Sequence, residues 1–185
     1  SSLLEGGWRI IFTVRHNYID DLKYQLKETY KSNFQSLNIT SISLEKLETI
    51  SKNNKFELPK NEKLRCLLQV PFYLNLWLQN DDIQSDINYT GFRDQVWKTK
   101  IRKSSFQRDN IDERRENCFI KIANERARSG NFIIRANGYD QEALSKLNQD
   151  GIIEWDINIG GYFISHDIYE EWALDKIIER SFQGS

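Results

Sequence analysis

The sequence predicts an α+β fold that is mainly helical with a small β component. Three observations predict it: apolar residues recur at helical spacing over most of the chain, a single continuous apolar strand lies near the beginning, and one pair of short apolar runs flanks a glycine-containing turn near the end. A chain of 185 residues is long enough for one ordinary domain or for two small domains with real cores.

The first element is the strand "WRIIFTVR" (Trp8 to Arg15). A continuous apolar strand is typical of a parallel sheet that is covered on both faces, yet no other segment before residue 130 reads as its partner. We therefore expect the chain to be cut from a longer protein whose remaining strands lie N-terminal to it, and we expect the unpaired strand edges to favour self-association. A helix over "YIDDLKYQLKET" (Tyr18 to Thr29) follows, and together they form the segment 1–37.

Residues 38–108 have the pattern of a small helical bundle. Ser43 is a plausible helix start, and "PKNEKLRCLLQVPFYLNLWLQN" (Pro59 to Asn80) gives two helices that are interrupted at Pro71. Proline cannot continue a helix from its interior, but it fits the first turn of the next helix. The third helix covers "YTGFRDQVWKTKIRKSSF", and its apolar residues fall on one face: Phe92, Val96, Trp97 and Ile101.

Residues 109–185 have a different order of elements. A helix that ends near Gly130 is followed by a short strand "NFIIRA", a helix over "DQEALSKLNQ", a hairpin over "GIIEWDINIGGYFIS" and a final helix from Ile168. Helix, strand, helix and hairpin in this order are typical of a winged-helix domain. The sequence therefore predicts a C-terminal winged helix.

Charge decides whether this winged helix is expected to bind DNA. Lys and Arg total 26 against 27 Asp and Glu, and the segment from Asp140 to Asp167, which contains the candidate recognition helix and the hairpin, has six carboxylates against the single basic Lys146. Phosphate contact requires Lys and Arg at this surface, so we expect no nucleic-acid binding. A DNA-binding winged-helix regulator remains the alternative.

The chain has neither a long apolar run nor a signal peptide, so we expect a cytoplasmic protein without a membrane partner.

Three local signals follow one another along the chain: "FTVR" at the end of the first strand, "VPF" at the break between two helices, and "ISHD" at the end of the hairpin. This order resembles the STAND class of P-loop nucleotide switches, the NB-ARC and NACHT-like ATPases that include immune receptors and prokaryotic defence proteins. The resemblance covers almost the whole chain. It implies that residues 1–37 are the C-terminal remnant of a P-loop α/β domain, residues 38–108 the helical lid and residues 109–185 the winged helix.

The resemblance implies nucleotide contacts for Arg15 and Pro71. Thr13-Val14-Arg15 resembles the family's strand-end motif, in which the arginine senses the terminal phosphate, and a guanidinium suits this role because it stays charged and donates in a fork. Pro71 is similar to the proline of the "GLPLA"-type motif, which packs near the base and sugar, although Gln69-Val70 replace the leading Gly-Leu. A surface arginine and a helix-start proline are the alternatives that need no ligand.

His166 and Asp167 resemble the last two residues of the family's "MHD" motif, with Ser165 in place of the methionine. In the family the histidine reaches a phosphate of ADP and ties the winged helix over the nucleotide, and an imidazole can donate to a phosphate in either protonation state. Asp167 and Glu170 have the spacing of a capping box, which explains Asp167 without a ligand. A structural corner residue is the alternative for His166.

The chain contains no G-x-x-x-x-G-K-[ST] motif and no Walker B carboxylate. We therefore expect this chain alone neither to bind ATP tightly nor to hydrolyse it, and we expect the parent protein, with its P-loop domain, to use ATP, ADP and magnesium as a signalling switch. A small enzyme that uses Arg15, His16, Asp20 and Asp21 ranks last, because no nucleophile or metal-ligand spacing organises these residues.

Overall fold

A computed structural model describes residues 11–12, 19–31, 35–37, 39–80, 82–103 and 110–183. The chain divides into two units, Ser1–Thr40 and Ser41–Ser185. The predicted boundary after residue 37 lies close to this division, and the predicted boundary after residue 108 falls inside the second unit and stays a prediction.

The described part of the first unit contains the helix α1 (Ile19–Tyr30), which buries Leu26. Of the strand predicted over Trp8 to Arg15, only Ile11 and Phe12 are described; both are exposed and neither lies in a helix or strand. The rest of that strand, and the candidate Arg15 with it, lies outside the described residues.

The first half of the second unit is helical. It consists of α2 (Leu44–Asn54), α3 (Glu62–Leu67), α4 (Pro71–Leu78), α5 (Tyr89–Val96) and a π-helical segment (Trp97–Arg102) that continues α5. Ser43 caps α2, because its hydroxyl accepts a hydrogen bond from the backbone N–H of Lys46 at 3.3 Å. The predicted helix start at this residue is therefore confirmed.

The predicted apolar face of the third helix is confirmed: Phe92, Val96, Trp97 and Ile101 are all buried in one core. The helix ends earlier than the sequence predicts, because Lys103 adopts a left-handed conformation and its N–H bonds to the carbonyl of Lys98 in the wider π-helical pattern.

The second half contains α6 (Ile111–Ser129), α7 (Gln141–Gln149), β1 (Ile153–Asp156), β2 (Gly161–Ile164) and α8 (Asp167–Gln183). The two strands form an antiparallel hairpin in which Ile153 pairs with Ile164 and Asp156 with Gly161. Helices dominate the described residues, and this hairpin is the small β component that the sequence predicts.

The prediction of a strand over "NFIIRA" is wrong. This segment makes only an isolated antiparallel bridge, in which Ile134 exchanges both backbone hydrogen bonds with Tyr162 at 2.8 Å. Ile134 is buried while Phe132 is exposed, so the segment contributes one anchoring residue rather than a full sheet edge.

Among the described residues, no helix is both long and apolar enough to cross a membrane.

Candidate functional site

Two of the three predicted site residues are described, and both lie at the start of a helix. Pro71 is the first residue of α4 and is exposed, and Val70 before it makes no side-chain cap. Its fixed φ and missing N–H fit this position, which explains the helix break without a ligand. His166 is half-buried at the corner between β2 and α8.

The structure brings these two helix starts together through Phe72. The Phe72 and His166 rings are stacked, with 3.6 Å between their centroids and 15° between their planes. Tyr169 meets both rings edge-on, with its centroid 5.6 Å from that of Phe72 and 6.4 Å from that of His166. Pro71 precedes Phe72 directly, so the "VPF" and "SHD" segments meet at one place. We call Pro71, Phe72, His166 and Tyr169 the corner site.

His166 also caps the helix that follows it. Its Nδ1 accepts a hydrogen bond from the backbone N–H of Ile168 at 3.3 Å, and its carbonyl accepts one from Tyr169 at 3.0 Å. In a neutral imidazole only one nitrogen carries a proton, so an accepting Nδ1 places that proton on Nε2. The ring therefore presents Nε2–H as its donor, which suits an anionic oxygen.

The helix α8 begins at Asp167, and Asp167 and Glu170 both lie in its first turn. The predicted capping box of these two residues stays a prediction. Glu170 directs its carboxylate to Arg126, with 3.1 Å between Oε2 and Nη2. Burial raises the pKa of Glu170, and the attraction of Arg126 opposes this rise.

Arg126 is a residue that sequence reasoning missed. It is buried, it pairs with Glu170 one turn into α8, and its guanidinium lies 4.7 Å from the centre of the Phe132 ring. A signal was present, because Phe119, Ile122 and Arg126 follow helical spacing on the buried face of α6. An arginine on an apolar face indicates a buried ion pair.

The position of α8 is fixed by contacts with α5. Arg93 on α5 is buried and donates to Asp175 at 3.1 Å and to Glu179, and Trp172 donates its indole N–H to the Tyr89 hydroxyl at 3.1 Å. These contacts hold α8, and His166 at its start, against the helical half of the unit.

One open cavity of about 550 Å³ lies elsewhere in the helical half. The residues that line it include the apolar Phe56, Trp77 and Ile83 and the charged Lys60 and Asp86. Neither Pro71 nor His166 lines it, so the cavity and the corner site are separate features.

Three basic residues of the segment from Lys98 to Lys103 make contacts within the protein. Lys100 donates to Gln79, Arg102 pairs with Asp112, and Lys103 pairs with Asp150 at 2.6 Å. These cations lie outside the predicted recognition helix and hairpin.

Asp20 and Asp21, which belong to the enzyme alternative, lie exposed in the first turn of α1, and their proposed partners Arg15 and His16 are outside the described residues.

Comparison with known proteins gives no family and no relative: no family model matches the chain, and no curated protein matches it significantly. Within the described ranges, no group of three or more His, Cys, Asp or Glu side chains is placed to hold a metal ion.

Proposed function

We propose that the chain is the regulatory part of a STAND-type, NB-ARC- or NACHT-like signalling switch that alternates between ATP and ADP. In this proposal residues 38–108 are the helical lid, residues 109–185 are the winged helix, and residues 1–37 belong to a P-loop domain that supplies the phosphate cradle and magnesium. The chain itself carries no catalytic residue, and the parent protein is an ATPase, for example in defence signalling.

The observation that carries the proposal is the contact between the two motif segments at the corner site. A nucleotide held between the lid and the winged helix needs the "VPF" and "SHD" segments side by side, and the Phe72 ring lies directly on His166. The Nε2–H of His166 would donate to an ADP phosphate, and the N-terminal end of α8 adds the favourable partial charge of a helix start. Pro71 would contact the base or sugar, and Arg15 the terminal phosphate.

This contact would stabilise one state of the switch. An interaction shifts a two-state equilibrium only if it is stronger in one state than in the other, and the contact from His166 to ADP forms only when the winged helix is closed over the nucleotide. A hydrogen bond to a charged group is worth roughly 1.5–3 kcal/mol, or about a ten- to hundredfold change in the ratio of the closed to the open state.

Two substitutions of His166 separate its cap from its proposed ligand contact. His166→Asn retains a strong N-cap acceptor for the Ile168 N–H but removes the imidazole donor, whereas His166→Ala removes both. In the intact protein we expect both variants to release ADP about ten- to hundredfold faster, because both lose a hydrogen bond to a charged group. Both variants lose the stack on Phe72, and His166→Ala also loses the cap, so His166→Ala should lower the melting temperature of this chain more than His166→Asn does.

The measurement is the dissociation rate of a fluorescent ADP analogue from the intact protein, with melting of the chain as the control. An unchanged rate in His166→Asn would make His166 a structural corner residue and would refute the proposed contact. The DNA-binding alternative is tested by a gel shift with duplex DNA at low salt, in which we expect no retained complex.

A further inference from the structure

We propose that Phe72 is a positioning residue that sets the direction of the His166 donor, so that the lid controls the histidine through one aromatic ring. This inference deepens the proposed function and depends on it for the nucleotide. The geometry itself is a property of the chain, and it can be measured without a nucleotide.

The contacts of the imidazole with Ile168, Phe72 and Tyr169 restrict its orientation. The Ile168 N–H donates a hydrogen bond to Nδ1. The stack on Phe72, with 3.6 Å between the ring centroids and 15° between the ring planes, restricts the plane of the imidazole. Tyr169 packs against the imidazole in an edge-on arrangement. Rotation about the Cβ–Cγ bond of His166 would tilt the ring against Phe72. With the plane and one nitrogen held, the direction of the Nε2–H bond follows.

Phe72 is itself held by the start of α4. Pro71 fixes the backbone at the first helical position, and Phe72 packs edge-on against Tyr73 with 5.7 Å between ring centroids. Tyr73 is buried and lies against Trp172 of α8. A shift of the proline end of α4 would therefore change the surface against which the His166 ring is stacked.

The side chain of Phe72 has no hydrogen-bond donor or acceptor, so it contributes no hydrogen bond to a phosphate. In this inference its effect on ADP passes through the His166 ring on which it is stacked. This gives the inference a sharp consequence: once the imidazole has been removed, the identity of residue 72 should no longer affect ADP release.

The first experiment uses the chain alone and nuclear magnetic resonance of its two histidines, His16 and His166. A stacked ring shields the protons of its neighbour, so the His166 ring signals should lie upfield and should move downfield in Phe72→Leu. Phe72→Tyr retains the flat ring and should leave them in place. Phe72→Met is measured beside Phe72→Leu in case one of them does not fold. The shift of the His166 signals is taken from whichever variant unfolds cooperatively.

The second experiment measures ADP release from the intact protein. Phe72→Leu should release ADP about two- to tenfold faster, which corresponds to the loss of one aromatic pair, and Phe72→Tyr should match the wild type. The double variant Phe72→Leu with His166→Asn should release ADP no faster than His166→Asn alone.

The two experiments separate failure of this inference from failure of the proposed function. Unmoved His166 signals in Phe72→Leu and Phe72→Met, or a double variant whose effects multiply, would overturn the positioning role. A wild-type protein that binds no ADP, together with His166 signals that do move, would refute the nucleotide switch while upholding the control of the imidazole by Phe72.

Discussion

Replacement of the buried Arg115 should destabilise the second unit far more than replacement of its neighbour Arg114. Both arginines lie on α6, but the side chain of Arg115 is 3% exposed and that of Arg114 is 37% exposed. Arg115 donates to the carbonyl of Ile101 at 2.8 Å, to that of Lys100 at 2.9 Å and to Asp150 at 2.6 Å. It therefore joins the end of the π-helical segment to the end of α7.

The magnitude follows from what Arg115→Met leaves behind. Two carbonyl oxygens lose the Arg115 donor, and the Asp150 carboxylate loses one of its two ion-pair partners among the described residues and keeps Lys103. An unsatisfied buried group costs about 1–3 kcal/mol, and breaking a buried ion pair costs about 3–5 kcal/mol, so we expect a loss of about 3–5 kcal/mol. At about 2–4 °C per kcal/mol for a chain of this size, the melting temperature should fall by roughly 6–20 °C.

Arg114→Met is the matched control, because it removes the same side chain one position earlier. Arg114 pairs with Asp140 and Glu142 at the surface, where an ion pair is worth about 0–1 kcal/mol. The assay is thermal and urea unfolding of the chain followed by circular dichroism. Equal losses in the two variants, or a loss below about 1 kcal/mol in Arg115→Met, would refute the view that Arg115 joins the two halves of the unit.

Two further predictions concern the hairpin and the contact between α5 and α8. Gly161→Ala should destabilise the chain by about 1–3 kcal/mol, because the new Cβ would lie 2.9 Å from the carbonyl oxygen of Ile134; a neutral effect in urea unfolding would contradict this packing. The hydrogen bond from Arg93 lowers the pKa of Glu179 in the folded chain. The ionised Glu179 therefore stabilises the fold at any pH above its unfolded-state pKa, and this stabilisation is lost as the pH falls through the lower pKa of the folded state. Between roughly pH 5 and pH 3, Glu179→Gln should therefore lose less stability than the wild type, and equal losses in acid unfolding would exclude this pair as a source of acid sensitivity.

The sequence predicts those features of the fold that depend on neighbouring residues. Ser43 was recognisable as a cap from its side chain and the apolar residues after it, and the start of α4 followed from the fixed φ of Pro71. The buried stripe from Phe92 to Ile101 followed from helical periodicity. In each case the physical cause lies within one or two turns of the residue concerned.

The corner site could be predicted only in part, because its geometry is tertiary. Resemblance singled out Pro71 and His166, but no local pattern shows that Phe72 stacks on a histidine of a distant segment. The capping box was assigned to Asp167 and Glu170 from their spacing, and no local pattern shows that Nδ1 of His166 accepts from the Ile168 N–H. No local pattern in the sequence identifies the carboxylate and carbonyl partners of Arg93 and Arg115.

The most direct test of the proposed switch is the nucleotide content of the intact protein that carries this chain. The protein is purified without added nucleotide, denatured, and its released small molecules are separated by ion-exchange chromatography beside ATP and ADP standards. The account predicts close to one ADP per polypeptide in the wild type, and a clearly lower content in His166→Asn purified in parallel. A well-folded wild-type protein that releases neither ADP nor ATP would contradict it.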